Sequence, residues 1–297
     1  MSNIVIGIDL GGTRIKAVAT DECGSILHQY YQPTNDGYDT QWKSAISLAI
    51  DEIQRKIKGS ATLFGISAPG LPDATNCAIA FMPGRLHGLE NFDWTEFLST
   101  KTFVLNDAVS ALMAEARFGA AKNKQNVVML TLGTGVGGAI LINGQPYQGS
   151  FHKAGHIGHM VIDSEGEPDI IGMPGSLEDA IGNCSIEKRT SGKFTSTEQL
   201  LVAYRNGDEF AGKVWLTSVR KLAIALATLT NILSPEMIIL GGGITEAGED
   251  LFKPLEEFMT RYEWRTGGNR TEIVKAQYGD LSGAVGAACY ARESINS

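Results

Sequence analysis

Cysteine is scarce and scattered: the 297 residues hold four, Cys23, Cys77, Cys184 and Cys289, with no pair at metal or redox spacing. That excludes a disulfide scaffold and points to reduced, structural thiols. Clustered positive charge is also missing. The 25 Lys and Arg against 33 Asp and Glu leave a net charge of −8, and no basic run interrupts the acidic balance, so no nucleic-acid partner is expected. No apolar stretch approaches membrane-spanning length, and Met1-Ser2-Asn3 puts no basic region ahead of a cleavable apolar one. The expectation is a cytoplasmic protein with no membrane partner. Its length suits two domains, and 43% hydrophobic residues can bury a substantial core.

Glycine, by contrast, is plentiful at 35 residues. The stretch Ile4 to Ala19 sets two apolar, β-branched runs around Leu10-Gly11-Gly12-Thr13, which reads as a hairpin with a tight turn. Asp9 ends the first run, a costly place for a carboxylate. Bare Gly11 and Gly12 let main-chain N–H groups approach an anion, and Asp9 beside a phosphate calls for a cation, Mg²⁺ in the usual case. A plain hairpin with Asp9 as a turn residue fits the local pattern equally well. A second copy breaks the tie: Asn126 to Ile142 repeats apolar strand, Gly133-Thr134-Gly135 turn and apolar strand, as a duplicated α/β unit would.

Asp-x-Gly-Gly-Thr followed by Leu-Gly-Thr-Gly-x-Gly-Gly resembles the sugar kinases of the actin/hexokinase superfamily, and more specifically the ROK group (repressors, open reading frames and kinases). The resemblance runs over nearly the whole chain. It implies an α/β fold of two ribonuclease-H-like (actin-like ATPase) domains with a cleft between them, ATP and Mg²⁺ as cofactors, and a homodimer. The expected domains are 1–120, joined by a C-terminal helix at about 283–297 packing back on it, and 121–282. Gly11, Gly12, Thr13, Lys16, Gly133, Thr134 and Gly135 would hold phosphate, with Asp9 orienting the magnesium.

After the first hairpin, Ile26–Tyr31 reads as a third strand, residues 40–58 as an amphipathic helix and Leu63–Ser67 as a buried strand, which completes a βββαβ half domain. The Pro69-Gly70 turn ends that strand; the resemblance makes Gly70 a backbone contact of the sugar. Asp93, with Glu96 three residues on, reads as a capping box. ROK sugar kinases usually carry Asn-Leu-x-x-Trp in this region, and Met82-Pro83-Gly84-Arg85-Leu86 replaces a clean version of it. Next, a strand runs into Asn106-Asp107 and an Ala/Leu/Met helix ends at Gly119. Asn or Asp here serves as an N-cap. Asp107 also reads as a carboxylate at a strand end, aimed at a substrate hydroxyl as general base, with the helix dipole favouring its charged form. By resemblance Asp107 is that base and Asn106 holds the sugar.

Three of the five histidines, His152, His156 and His159, fall within eight residues. Gly155 and Gly158 argue against a helical metal face, and Met160-Val161-Ile162 reads as strand. The family pattern here is Gly-Glu-x-Gly-His, with Glu and His on sugar hydroxyls. His159 matches, while His156 stands at the Glu position, where an imidazole accepts one hydrogen bond and donates one. Zinc-binding members follow with Cys-x-Cys-Gly-x-x-Gly-Cys-x-Glu. Residues 169–178 keep the glycines and Glu178 but no thiolate, so no structural zinc is expected. Glu178 is read as a sugar-hydroxyl acceptor or a helix N-terminal carboxylate. Two helices follow between Ser196 and Leu233, broken near Gly207, and a strand from Met237 ends at Gly241-Gly242-Gly243. By resemblance Gly242 and Gly243 form the adenosine-binding turn. The expected activity is phosphorylation of a hexose or N-acetylhexosamine, glucose at O6 first among them. A catalytically idle sugar-binding sensor is the alternative. A repressor is disfavoured, because Asp9 lies too near the start of the chain for a helix-turn-helix ahead of it.

Overall fold

The structure, a computed structural model, describes residues 4–36, 40–57, 61 and 63–295. The chain divides into two compact units. One is Met1–Lys124 with Gly144–Ala154 and Ala276–Ser297; the other is Gln125–Asn143 with Gly155–Lys275.

The first unit is built on a five-stranded sheet. Strands β1 (Val5–Leu10), β2 (Arg14–Thr20) and β3 (Ile26–Pro33) form an antiparallel meander, after which α1 (Gln41–Lys56) leads to β4 (Phe64–Ala68). A two-residue strand β5 (Leu71–Pro72) pairs with β6 (Ile79–Phe81); α2 (Trp94–Leu98), β7 (Thr102–Asn106) and α3 (Asp107–Phe118) follow. The sheet order is β3-β2-β1-β4-β7, with β1, β4 and β7 parallel. Lys58 and Gly37, part of the expected helix and of the turn before it, lie outside the described residues.

Alternation along β1 assigns its two faces. Ile6 and Ile8 enter a core with Trp42, Ile46, Ile50 and Ile53 of α1. Gly7 looks the other way. The C-terminal helix of the described chain, Ser282–Ser294, lies on that face: a methyl at Gly7 would overlap the Ala284 carbonyl, and one at Gly65 the Ala287 carbonyl. Bare glycine is what admits the helix backbone so close to the sheet. Glu115, fully buried on α3, accepts the N–H groups of Ala120, Gln277 and Tyr278 at 2.8, 2.7 and 2.8 Å, so one carboxylate ties α3 to the segment leading into that last helix.

In the second unit β8 (Val127–Leu132) and β9 (Val136–Ile142) form the second hairpin. The two-residue strand β10 (Gln145–Pro146) comes next in the chain, in a segment of the first unit. Short helices α4 (Leu177–Ile181) and α5 (Ile186–Arg189) precede α6 (Thr197–Arg205) and α7 (Glu209–Leu233), the break falling at Asn206-Gly207-Asp208. Strand β11 (Met237–Gly241), α8 (Glu249–Tyr262) and β12 (Glu272–Lys275) complete it, and the helix Ser282–Ser294 of the first unit is α9. Within this unit the strands run β9-β8-β11-β12. Antiparallel hairpin plus parallel strands repeats the plan of the first unit, as the duplicated hairpins predict.

Two expectations need correction. By length and composition α7 is apolar enough to cross a membrane, which the reading of the sequence denied. Trp215, Val219, Leu222 and Leu226 are fully buried, so its apolar face is the core of the second unit. Met160-Val161-Ile162 forms no strand. Ile157–His159 is a single 3₁₀ turn, and Val161 makes only an isolated bridge to Ser176, held by backbone hydrogen bonds from Ile162 to Gly175 and from Leu177 to Met160, too short a pairing for a strand.

Candidate active site

In the first unit the register of three parallel strands brings the chemistry together. Asp9 of β1 stands beside Ser67 of β4 in one ladder and opposite Lys16 of β2 in the other. Neighbours across a ladder point the same way, so the Asp9 carboxylate is met from both sides. Ser67 Oγ donates to Oδ1 at 2.7 Å and Lys16 Nζ to Oδ2 at 3.1 Å. Lys16, expected to bind phosphate, is thereby shown to partner Asp9. One strand further on, Asn106 ends β7 beside Ala68. Ligand sites of α/β sheets gather at such carboxyl ends.

Asn106 does two jobs at once. Its Oδ1 accepts the Ala108 N–H at 3.0 Å, capping α3, and its Nδ2 donates to the Gly70 carbonyl at 3.0 Å. The cap thus belongs to Asn106, which leaves Asp107 as the first residue of the helix. Asp107 is open to solvent yet densely surrounded by protein, and this desolvation, with the charge of Asp9 second, raises its pKa to about 6. Hydrogen bonds from the Ala108 N–H, its own N–H and Asn106 pull the other way. The helix terminus was expected to favour the charged form; desolvation and Asp9 outweigh it. A carboxyl poised near 6 suits a general base working near neutral pH.

The β1–β2 turn holds a residue that sequence patterning did not pick out. A side chain at Gly12 would overlap Arg85 Nη2, so the guanidinium rests directly on the turn. Asp36 steadies this segment: its Oδ1 accepts the Leu86 N–H at 2.9 Å, and its Oδ2 lies 3.5 Å from Arg85 Nε. Asp36, Met82, Arg85, His87 and Glu90 line a cavity of about 650 Å³. Behind it Trp94, capped in its helix by Asp93, is fully buried against Trp42 and Phe92. An arginine bracketed by Pro83-Gly84 and Leu86 carries no pattern of its own; only the tertiary contact with Gly12 marks it.

In the second unit, Glu178 reaches the β8–β9 turn: its Oε2 accepts the Val136 N–H at 2.9 Å and lies where a side chain of Gly135 would be. The Gly133 and Thr134 carbonyls accept the N–H groups of Asn183 and Cys184 at 3.0 and 2.7 Å. Gly133, Thr134 and Gly243 then line a cavity of about 680 Å³ with Asn183, Thr197, Glu198, Leu201 and Arg205. The Thr197 hydroxyl is buried with no hydrogen-bond partner, an orphan a ligand would satisfy. The structure therefore joins the second glycine turn to the Gly241-Gly242-Gly243 turn, and adds residues of α6 that patterning missed.

Of the histidines, His152 pairs with Gln148 at 2.9 Å in the first unit, while in the second His156 directly precedes the 3₁₀ turn that carries His159 and gives it no side-chain cap. His159 Nδ1 lies 3.3 Å from Asp169 Oδ2. The positions of the family thiolates hold Asp169, Ile171 and Ser176, and among the described residues no three His, Cys, Asp or Glu gather to hold a metal ion. One imidazole and one carboxylate do not fit a tetrahedral zinc set. Three of the four cysteines, Cys23, Cys77 and Cys184, are exposed; only Cys289 is buried, its thiol pushed up to about 12.

The model of the ROK family matches residues 5–294. The chain is 30% identical to a glucokinase of Thermotoga maritima, with 98% of each covered. It is 29% identical to an N-acetylmannosamine kinase of Yersinia pseudotuberculosis, with 98% of this chain and 99% of that one covered. Among solved structures, a ROK family glucokinase from Streptomyces griseus in complex with glucose and AMPPNP matches with a TM-score of 0.81 at 26% identity, over 98% of this chain and 99% of that one.

Proposed function

The chain belongs to the ROK family, and from that premise we propose that it is an ATP-dependent sugar kinase acting on a primary hydroxyl of a hexose or N-acetylhexosamine, glucose at O6 first among them. The observation that carries this reading is Asp107. A carboxyl raised to about 6 heads α3 beside Asn106, whose amide is locked to the Gly70 carbonyl.

In the proposed reaction, Asp107 accepts the proton of the primary hydroxyl as that oxygen attacks the γ-phosphoryl group in line. Phosphoryl transfer asks for positioning and charge stabilisation more than for covalent chemistry. Asn106, the Gly70 backbone, His156, His159 and Glu178 are assigned to the sugar. Gly11, Gly12 and Thr13, and in the second unit Gly133, Thr134 and Gly135, are assigned to phosphate. Gly242 and Gly243 are assigned to the nucleoside, for which the cavity with the orphaned Thr197 hydroxyl offers room. Asp9 and Asp107, close enough for one charge to move the other's pKa, make an all-oxygen donor set that suits a hard cation, with Asp9 its chief holder. Bound there, Mg²⁺ would neutralise phosphate charge. Ser67 and Lys16 hold Asp9 in one orientation beside it.

The test is coupled ADP release over a sugar panel that includes glucose and N-acetylmannosamine. A kinase turns over at least one of them, and Asp107→Asn lowers turnover about 10²–10⁴-fold while sugar binding persists. Binding without turnover in the native chain overturns the proposal in favour of an idle sensor.

A further inference from the structure

Asp169 is the hub of the loop that carries His159 toward α4. Its side chain is fully buried. Oδ1 accepts the N–H groups of Ile171 and Met173 at 3.0 and 2.9 Å, the Ser176 hydroxyl donates to the same carboxylate, and Oδ2 faces His159 Nδ1 at 3.3 Å. The backbone of Asp169 closes the same turn, its N–H on the Met173 carbonyl and its carbonyl on the Gly172 N–H. Burial pushes this carboxyl up, but the hydrogen bonds from Met173, Ser176, Ile171 and His159 more than offset it and hold it below the usual range. An ionised carboxylate only accepts. The nitrogen that faces it must therefore carry the proton. Among the described residues the His159 ring has no second hydrogen bond, and its side chain is 30% exposed.

We propose that Asp169 is a positioning residue that fixes His159 as the Nδ1–H tautomer, so that the bare Nε2 lone pair accepts a hydrogen bond from a hydroxyl of the bound sugar. The inference rests on the sugar-kinase reading for the identity of the ligand. The tautomer itself depends only on the loop. A carboxylate here closes the turn and orients the imidazole together, a task for which this loop has no thiolates to recruit a metal.

The isosteric swap separates positioning from mere structure. In Asp169→Asn the single carbonyl oxygen is claimed by the Ile171 and Met173 N–H groups, which turns the amide NH₂ toward His159. Nδ1 must then accept, the proton moves to Nε2, and the outward nitrogen becomes a donor. Long-range proton–nitrogen correlation spectra of ¹⁵N-labelled full-length protein read the tautomer directly. Expected are Nδ1–H in the native chain, Nε2–H in Asp169→Asn, and a KM for the sugar raised about tenfold with kcat changed far less. Ser176→Ala loosens the same loop and is expected to keep the native tautomer. Native His159 protonated on Nε2 overturns the proposal even if the variant fails to fold, and so does a flipped tautomer with unchanged KM. A native chain that phosphorylates no sugar defeats the kinase reading instead, and leaves the tautomer result to judge Asp169 by itself.

Discussion

The negative charge of Asp9 is felt at Asp107, where it adds to desolvation in holding the carboxyl at about 6. Since the ionised form is the base, kcat/KM should fall on the acid side with an apparent pKa near that value. Removing the like charge favours ionisation. In Asp9→Asn the Asp107 carboxyl, followed by its ¹³C resonance, should titrate lower but still above the ordinary carboxylate range, because desolvation remains. An unmoved titration would show that the two groups do not sense each other.

Asp107→Asn should trade activity for stability. Loss of the base costs about 10²–10⁴-fold in kcat. Because the folded-state pKa is raised, the native state holds its proton more tightly than the unfolded chain, and its stability declines as pH rises from the ordinary carboxylate value through about 6. The Tm of the variant should therefore exceed that of the native chain at pH 7. The two should converge only well below the ordinary carboxylate value of 3.8, where the carboxyl is neutral in both states. Thermal melts across pH decide it.

Two glycines separate folding from binding. Gly65→Ala drives a methyl into the Ala287 carbonyl, which is backbone and cannot yield cheaply. A loss of about 1–3 kcal/mol in urea unfolding is expected. Gly133→Ala meets nothing nearby. It should leave the urea midpoint nearly unchanged and weaken nucleotide binding, measured by calorimetry with a non-hydrolysable ATP analogue.

Arg85 puts a cation on the β1–β2 turn, where phosphate charge is proposed to develop. Arg85→Ala should lower kcat about 10²-fold, with little change in Tm because the side chain is half exposed. Lysine at this position should recover part of the rate, since it restores charge without the planar fork. A rate unchanged in Arg85→Ala would leave the guanidinium as a wall of the neighbouring cavity and nothing more.

Much of this was legible in the chain. Alternation and turn chemistry locate both hairpins, the break between α6 and α7, and the strand that delivers Asn106 and Asp107, since each is written in local sequence. What local sequence does not carry is partnership across distance. Lys16 reads as a phosphate ligand, and only the register of β1 and β2 reveals that it also stands opposite Asp9. Glu178 reads as a sugar acceptor or a helix-end charge, and the Val136 N–H it caps is 42 residues away. The burial of Glu115 depends on a segment more than 160 residues downstream. The strand expected at Met160–Ile162 shrank to a single bridge for the converse reason, since its pairing with residues 175–177 ends after one residue pair.

The first sheet is roofed on one side by residues 282–294, so β1, synthesised long before them, waits for α9 before Gly7 and Gly65 find the backbone they were left bare to receive. During synthesis the second unit can assemble while the first still shows an open apolar face. A nascent chain halted before α9 would hold a folded second half attached to an unfinished first one, an obvious substrate for chaperones.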